Sequence, residues 1–235
     1  MKIKIFYLLF ILFVNINYGQ KNNVYVEYKV TIIDDGSFTK DKMFADDFLN
    51  AAKAANQLVF GLVINASGSK FYQVDTGIEN NFEINAAKMF SKYMGMIYTL
   101  NDQILKEQQF IGKDIYLKEK KVDNWIVATE TKEIDNYLCY KATNTYTVIN
   151  PAGVFKFPVT AWYCPKLPYN YGPLGYGNLP GLILELQVRN VNYHSKKIDL
   201  NTTLDYTTDF LKKATLLSEE ELNKKLDEFN SFDKK

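Results

Sequence analysis

All six prolines of this 235-residue chain fall between Pro151 and Pro180, and five of its twelve glycines fall between Gly153 and Gly181. A proline fixes φ and has no amide hydrogen to donate. Pro165, Pro168, Pro173 and Pro180 therefore cannot sit inside a central strand or a helix interior. Gly172, Gly175, Gly177 and Gly181 supply bends that a side chain would block. Residues 165–181 thus form a long, stiff, irregular crossing between two strands. The rest of the chain must be arranged around it.

The segment that feeds this crossing is the most readable one. Asn150-Pro151-Ala152-Gly153 is a turn signal between two alternating runs. If Asn150 faces Gly153, Leu138, Tyr140, Ala142, Tyr146 and Val148 share a face with Phe155, Phe157, Val159, Ala161 and Tyr163. A slip of one residue would mix Lys156 and Thr160 into that apolar set, so the pattern itself selects the register. The same register sets Cys139 against Cys164, with Thr160 and Trp162 on their side.

Elsewhere the periods are clear enough to assign elements. Residues 24–33 alternate, with Val24, Val26, Tyr28, Val30 and Ile32 on one side. Residues 41–56 change to a helical period, with Phe44, Phe48, Ala51 and Ala55 as the apolar stripe. Residues 59–65 and 70–74 predict a hairpin, and 84–93 an ambiguous helical stretch. Strands are expected at 97–100, 108–117 (with Gly112 as a bulge), 125–130, 182–188, 191–200 and 203–208. Ser218 and Glu221 form a capping box for a last helix reaching about Phe229. Together these predict an α+β protein: a curved antiparallel sheet, an open or half barrel, packing one to three helices. Residues 20–235 read as a single domain.

The crossing and its neighbours carry a family resemblance. Asn178-Leu179-Pro180-Gly181-Leu182-Ile183 resembles the hexapeptide that names the GLPGLI family of secreted, Bacteroidota-type envelope proteins, with Asn178 at the first glycine. Trp125-Ile126, residues 137–142, Ala161-Trp162-Tyr163 and Gly172-Pro173 resemble the family's upstream pieces, in order. Asn tolerates left-handed backbone better than other non-glycine residues, so the exchange at Asn178 is mild. The resemblance implies a cell-envelope protein and assigns neither an activity nor catalytic residues.

The N-terminus agrees. Lys2 and Lys4, the apolar run 5–14 and the small Gly19 read as a signal peptide over 1–19. That run is too short to span a bilayer, and no later one is long enough. With 28 basic and 27 acidic residues, Arg189 the one arginine, and no basic patch, nucleic acid is excluded as a partner. In an oxidising compartment, Cys139 and Cys164, with no CxxC motif, point to a structural disulfide.

Catalytic chemistry finds little support. His194 is the one histidine, which excludes three-histidine zinc and leaves no Ser-His-Asp set. Glu185, Asp199, Asp205 and Asp209 are scattered carboxylates without marked spacing. There is no P-loop, GxGxxG or GxSxG. No cofactor, metal or catalytic residue is expected. The candidate binding residues are aromatic: Trp162, Tyr163, Tyr169, Tyr171 and Tyr176, in and beside the crossing. Tyr joins an apolar ring to a polar tip, which suits amphipathic ligands; rings under a long loop more often cover the core beneath it. Residues 178–183 are expected to set architecture, with Pro180-Gly181 at the centre of a type II turn. Two functions follow. One is a non-enzymatic binding or carrier protein for an apolar or amphipathic ligand, in the periplasm or associated with the outer membrane. The other is an accessory protein docking on an envelope partner through the tyrosine-rich crossing.

Overall fold

The computed structural model describes residues 22–101, 103–150 and 153–232. The expected signal peptide, and Pro151 and Ala152 of the hairpin turn, lie outside the described residues.

The fold is α+β; the described residues form one open sheet of twelve strands and three α-helices. In chain order the strands are β1 (Asn23–Ile32), β2 (Val59–Asn65), β3 (Gly68–Gln73), β4 (Ile97–Leu100), β5 (Gln103–Phe110), β6 (Lys113–Lys120), β7 (Ile126–Ile134), β8 (Tyr137–Asn150), β9 (Gly153–Cys164), β10 (Leu182–Val188), β11 (Val191–Thr202) and β12 (Thr215–Leu217). The helices are α1 (Lys42–Ala55), α2 (Phe82–Phe90) and α3 (Glu219–Phe232). The strand order is β12-β6-β5-β4-β3-β2-β1-β11-β10-β9-β8-β7. Neighbours pair antiparallel except β12, which runs parallel to β6.

The central strands follow their alternation. Val24, Val26, Tyr28 and Val30 of β1 are fully buried beside Phe60, Leu62 and Ile64 of β2 and Tyr193 of β11. Helices α1 and α2 add Ala51, Ala54, Ala55, Ile84 and Ala87 to the same core. Two tyrosines pin this face with their hydroxyls: Tyr28 donates to Ile183 O at 2.6 Å, and Tyr193 donates to Ser91 O at 2.8 Å. The second bond ties the end of α2 to the sheet.

The β8–β9 register is the one the pattern selects: Asn150 pairs with Gly153, Tyr146 with Phe157 and Tyr140 with Tyr163. Ala142, Val159, Ala161 and Tyr163 are buried on the shared face, whereas Leu138 at its end is exposed. The Ser218–Glu221 capping box forms reciprocally, with Ser218 N donating to Glu221 Oε2 at 2.7 Å and Glu221 N to Ser218 Oγ at 3.2 Å.

Three local expectations are corrected. Residues 108–117 are not one bulged strand. Ile111 (φ 49°) and Gly112 (φ 69°) form a two-residue turn between β5 and β6, and a left-handed pair of this kind matches the strand twist. Residues 203–208 carry no strand. Pro180-Gly181 is not a type II turn. Gly181 N donates to Leu179 O at 2.7 Å, closing a tighter γ-turn, while Leu182 N turns away to Leu167 O. The demand for glycine survives the correction. Gly181 has φ 158°, and a Cβ there would lie 2.2 Å from Cys164 O.

The crossing is the strut of the fold. It leaves β9, makes a bridge between Tyr171 and Gly177, and carries a 3₁₀ turn at Pro173–Gly175 with Leu174 at φ 56°. Pro173, Leu174 and Gly175 are buried. Ile97 of β4 and Lys106 of β5, from one limb of the sheet, meet Tyr146 of β8 and Val188 of β10, from the other, around Leu174 and Tyr176. Strands so far apart in the order meet only because the sheet curls, and the crossing fills the space between its limbs. Burying a residue such as Leu174 contributes roughly 1.5–3 kcal/mol.

Candidate functional site

The five aromatic candidates do not form one lip. Tyr163 is buried and packs against Tyr140, while Trp162, its neighbour in β9, points to the opposite face. There Lys132 Nζ lies 4.5 Å from the Trp162 ring centre and pairs with Glu185 at 2.8 Å. Tyr169, Tyr171 and Tyr176 are half-buried and pack against the main core. Tyr176 meets Trp125 edge-on, and Trp125 Nε1 donates to Gly177 O at 2.9 Å. Asn178 takes φ 60° and donates from its amide to Val122 O, so it uses the left-handed backbone that its side chain tolerates.

The expected Cys139–Cys164 disulfide is not seen: both cysteines are fully buried free thiols at the mouth of the crossing. The β8–β9 ladder ends one step before them, at Tyr140 and Tyr163. Cys139 Sγ donates to Tyr137 O. Burial first, then the neighbouring Cys164, pushes its thiol up to about 12. A thiol held protonated in this way is a poor nucleophile.

The scattered carboxylates stay scattered. Glu185 is held by Lys132, Asp205 accepts from Asn65 Nδ2 at 2.6 Å, Asp209 pairs with Lys212, and Asp199 accepts from Asn201 N. Among the described residues no three His, Cys, Asp or Glu side chains gather to hold a metal. Burial first, then Lys196, holds the His194 imidazole below its usual range.

What the sequence did not announce is an apolar cleft between α1 and α2. Asp41 caps α1 by accepting from Met43 N at 3.0 Å, and Asn81 caps α2 by accepting from Ile84 N at 2.9 Å. The inward stripe of α1 joins one ring, Phe48, to the small Ala51, Ala54 and Ala55. Phe44, expected on that stripe, stands outside instead. It is 53% exposed, with Phe82 at 67% and Met89 at 54%. These three, with Phe38, Ala86, Phe90, Asp47 and Asn85, line a cleft of about 640 Å³. Its floor is a cluster of three rings. Phe38 stacks on Phe48 at 5.1 Å, and Phe90 meets both edge-on at 5.1 and 5.2 Å.

The chain's one arginine secures that floor. Arg189 Nε donates to Asp35 Oδ2 at 2.8 Å, and its guanidinium lies 4.2 Å from the Phe157 ring centre and 5.7 Å from that of Phe38. Burial alone would raise the Asp35 carboxyl, but bonds from Ser37 and Arg189 outweigh it and hold the group below its usual range.

A family described as a protein of unknown function (Porph_ging) matches residues 152–185, a range that takes in β9, the crossing and the start of β10. No curated protein matches the chain. Among solved structures, PNGF-II in space group C2 is similar at 11% identity and a TM-score of 0.51, over 86% of this chain and 32% of that one. Its P21 form gives 11% identity and 0.49, over 84% and 32%. The chain therefore spans about a third of the length of PNGF-II. LprF from Mycobacterium bovis aligns over 80% of this chain and 90% of its own at 10% identity, with a TM-score of 0.32. At these identities the C2 likeness speaks for the fold alone. Among the described residues no helix is long and apolar enough to cross a membrane.

Proposed function

We propose that this chain is a non-catalytic binding protein of the cell envelope, and that it takes the apolar part of a small apolar or amphipathic ligand into the α1–α2 cleft. The observation that carries this reading is the cleft itself. Its volume of about 640 Å³ is that of a small-molecule site, its walls are mostly rings and thioether, and among the described residues Asp47 is the one ionisable group that lines it. Phe44, Phe82 and Met89 would each be more stable covered, and clustered exposure of this kind marks a binding surface.

Export rests on the basic and apolar pattern of residues 1–19 and on the GLPGLI resemblance; the match at 152–185 to a family of unknown function supports an envelope location only broadly. Docking on an envelope partner through the crossing is the less supported alternative, since its tyrosines pack inward.

The test is fluorescence titration with Nile red. The mature protein should bind the dye saturably, and Ala86→Trp, which fills the cleft, should weaken binding at least tenfold while the fold is kept. Dye binding that ignores Ala86→Trp contradicts the reading.

A further inference from the structure

A second, chemically different site lies where the two limbs of the sheet meet the crossing. Lys92, Lys106, Tyr146 and Tyr176 line a pocket of about 120 Å³, walled by Leu174 and Val188. That is room for several waters, or for one small polyatomic ion. Its charge is unbalanced. Lys106 is paired with Glu119 at 2.7 Å, and nearby Arg189 is paired with Asp35. Lys92 is half-buried, and among the described residues no carboxylate pairs with it. Its ammonium instead lies 4.7 Å from the Tyr146 ring centre. Burial first, then the charge of Arg189, lowers its proton affinity. A bound anion would relieve both penalties.

The backbone adds an independent observation. Lys92 follows the last turn of α2 at φ 62°, in the left-handed position that closes a helix and that glycine fills without strain. A lysine there accepts backbone strain and places its cation in the pocket, and strain of this kind collects where a side chain has a task.

We infer that this pocket binds a small oxyanion, of the carboxylate or phosphate class, with Lys92 as its counter-charge and the Tyr146 and Tyr176 hydroxyls as available donors. The inference does not depend on the α1–α2 cleft.

The experiment is calorimetric titration of the full mature chain with sodium phosphate and, separately, sodium acetate, each against sodium chloride at matched ionic strength. One of the two oxyanions should bind saturably. Phosphate binding identifies a tetrahedral anion, and acetate binding a carboxylate. Lys92→Gly should lose affinity at least tenfold, and because glycine suits this backbone the variant should melt no lower than the parent. Absence of binding by both anions overturns the inference. So does a Lys92→Gly protein that binds as tightly as the parent.

Discussion

The crossing and the α1–α2 cleft are both rich in apolar and aromatic side chains, yet they end in opposite environments. Residues 165–181 look like an exposed loop, with four prolines and four glycines, but fold inward and become the strut on which both limbs of the sheet rest. Residues 42–55 look like an ordinary core helix, but leave Phe44 outside, opposite Phe82 and Met89 of α2. In the first region the chain satisfies its own apolar surface. In the second the apolar surface stays exposed. The difference lies in what the backbone can do. Proline and glycine let the crossing bend its side chains into a narrow space, whereas α1 and α2 meet through Phe48 and Phe90 and leave Phe44, Phe82 and Met89 exposed.

The sharpest way to break this contrast is at Gly181. Gly181→Val places a Cβ near 2.2 Å from Cys164 O, and should cost about 4 kcal/mol or prevent folding. An unchanged urea midpoint would mean that the crossing does not fit as described. Next is Leu174→Ala, which removes the buried side chain between the limbs and should cost about 3 kcal/mol in the same assay. Oxidation of the Cys139–Cys164 pair comes third. The β8–β9 ladder stops one step short of them, and both are free thiols here; we propose that they join on oxidation, and a bond there should add about 3 kcal/mol by restricting the unfolded chain. Non-reducing peptide mapping of exported protein should find the two peptides linked, and free thiols would remove the proposal.

On the other side of the contrast, Phe82→Ser should leave stability within about 0.5 kcal/mol, because the ring is exposed. It should nonetheless weaken Nile red binding several-fold. A large loss of stability would show that the ring is structural. The smallest effect concerns the floor of the cleft. Asp35 has its carboxyl affinity for protons lowered in the folded state. Its contribution is therefore present above the unfolded pKa and fades as pH falls through the folded one. Asp35→Asn should flatten the acid limb of stability below about pH 4 and change little at pH 7, as followed by urea midpoints.

The sequence made legible whatever was periodic. The β8–β9 register followed from the alternation of Tyr140, Ala142 and Tyr146, and the cap of α3 from Ser218 and Glu221. The β5–β6 hairpin did not, because Ile111 is not a turn residue and Gly112 alone reads as a bulge. Nor did the cleft. Phe44 and Phe48 share one helical stripe, and only the position of α2 decides that the second is covered and the first is not. The tyrosines of the crossing were ambiguous for the same reason. Ring chemistry suits a lip and a core alike, and the direction of Tyr176 depends on Trp125, some fifty residues away.

Hydrogen exchange read by mass spectrometry, with and without Nile red, tests the contrast in one measurement. Without dye, the amides of Tyr176, Asn178, Leu182 and Ile183, all bonded to other backbone carbonyls, should exchange as slowly as the central strands. Dye should slow exchange in α1 and α2 and leave the crossing unchanged. Fast exchange across 165–183, or protection by dye there and not in the helices, would contradict the account.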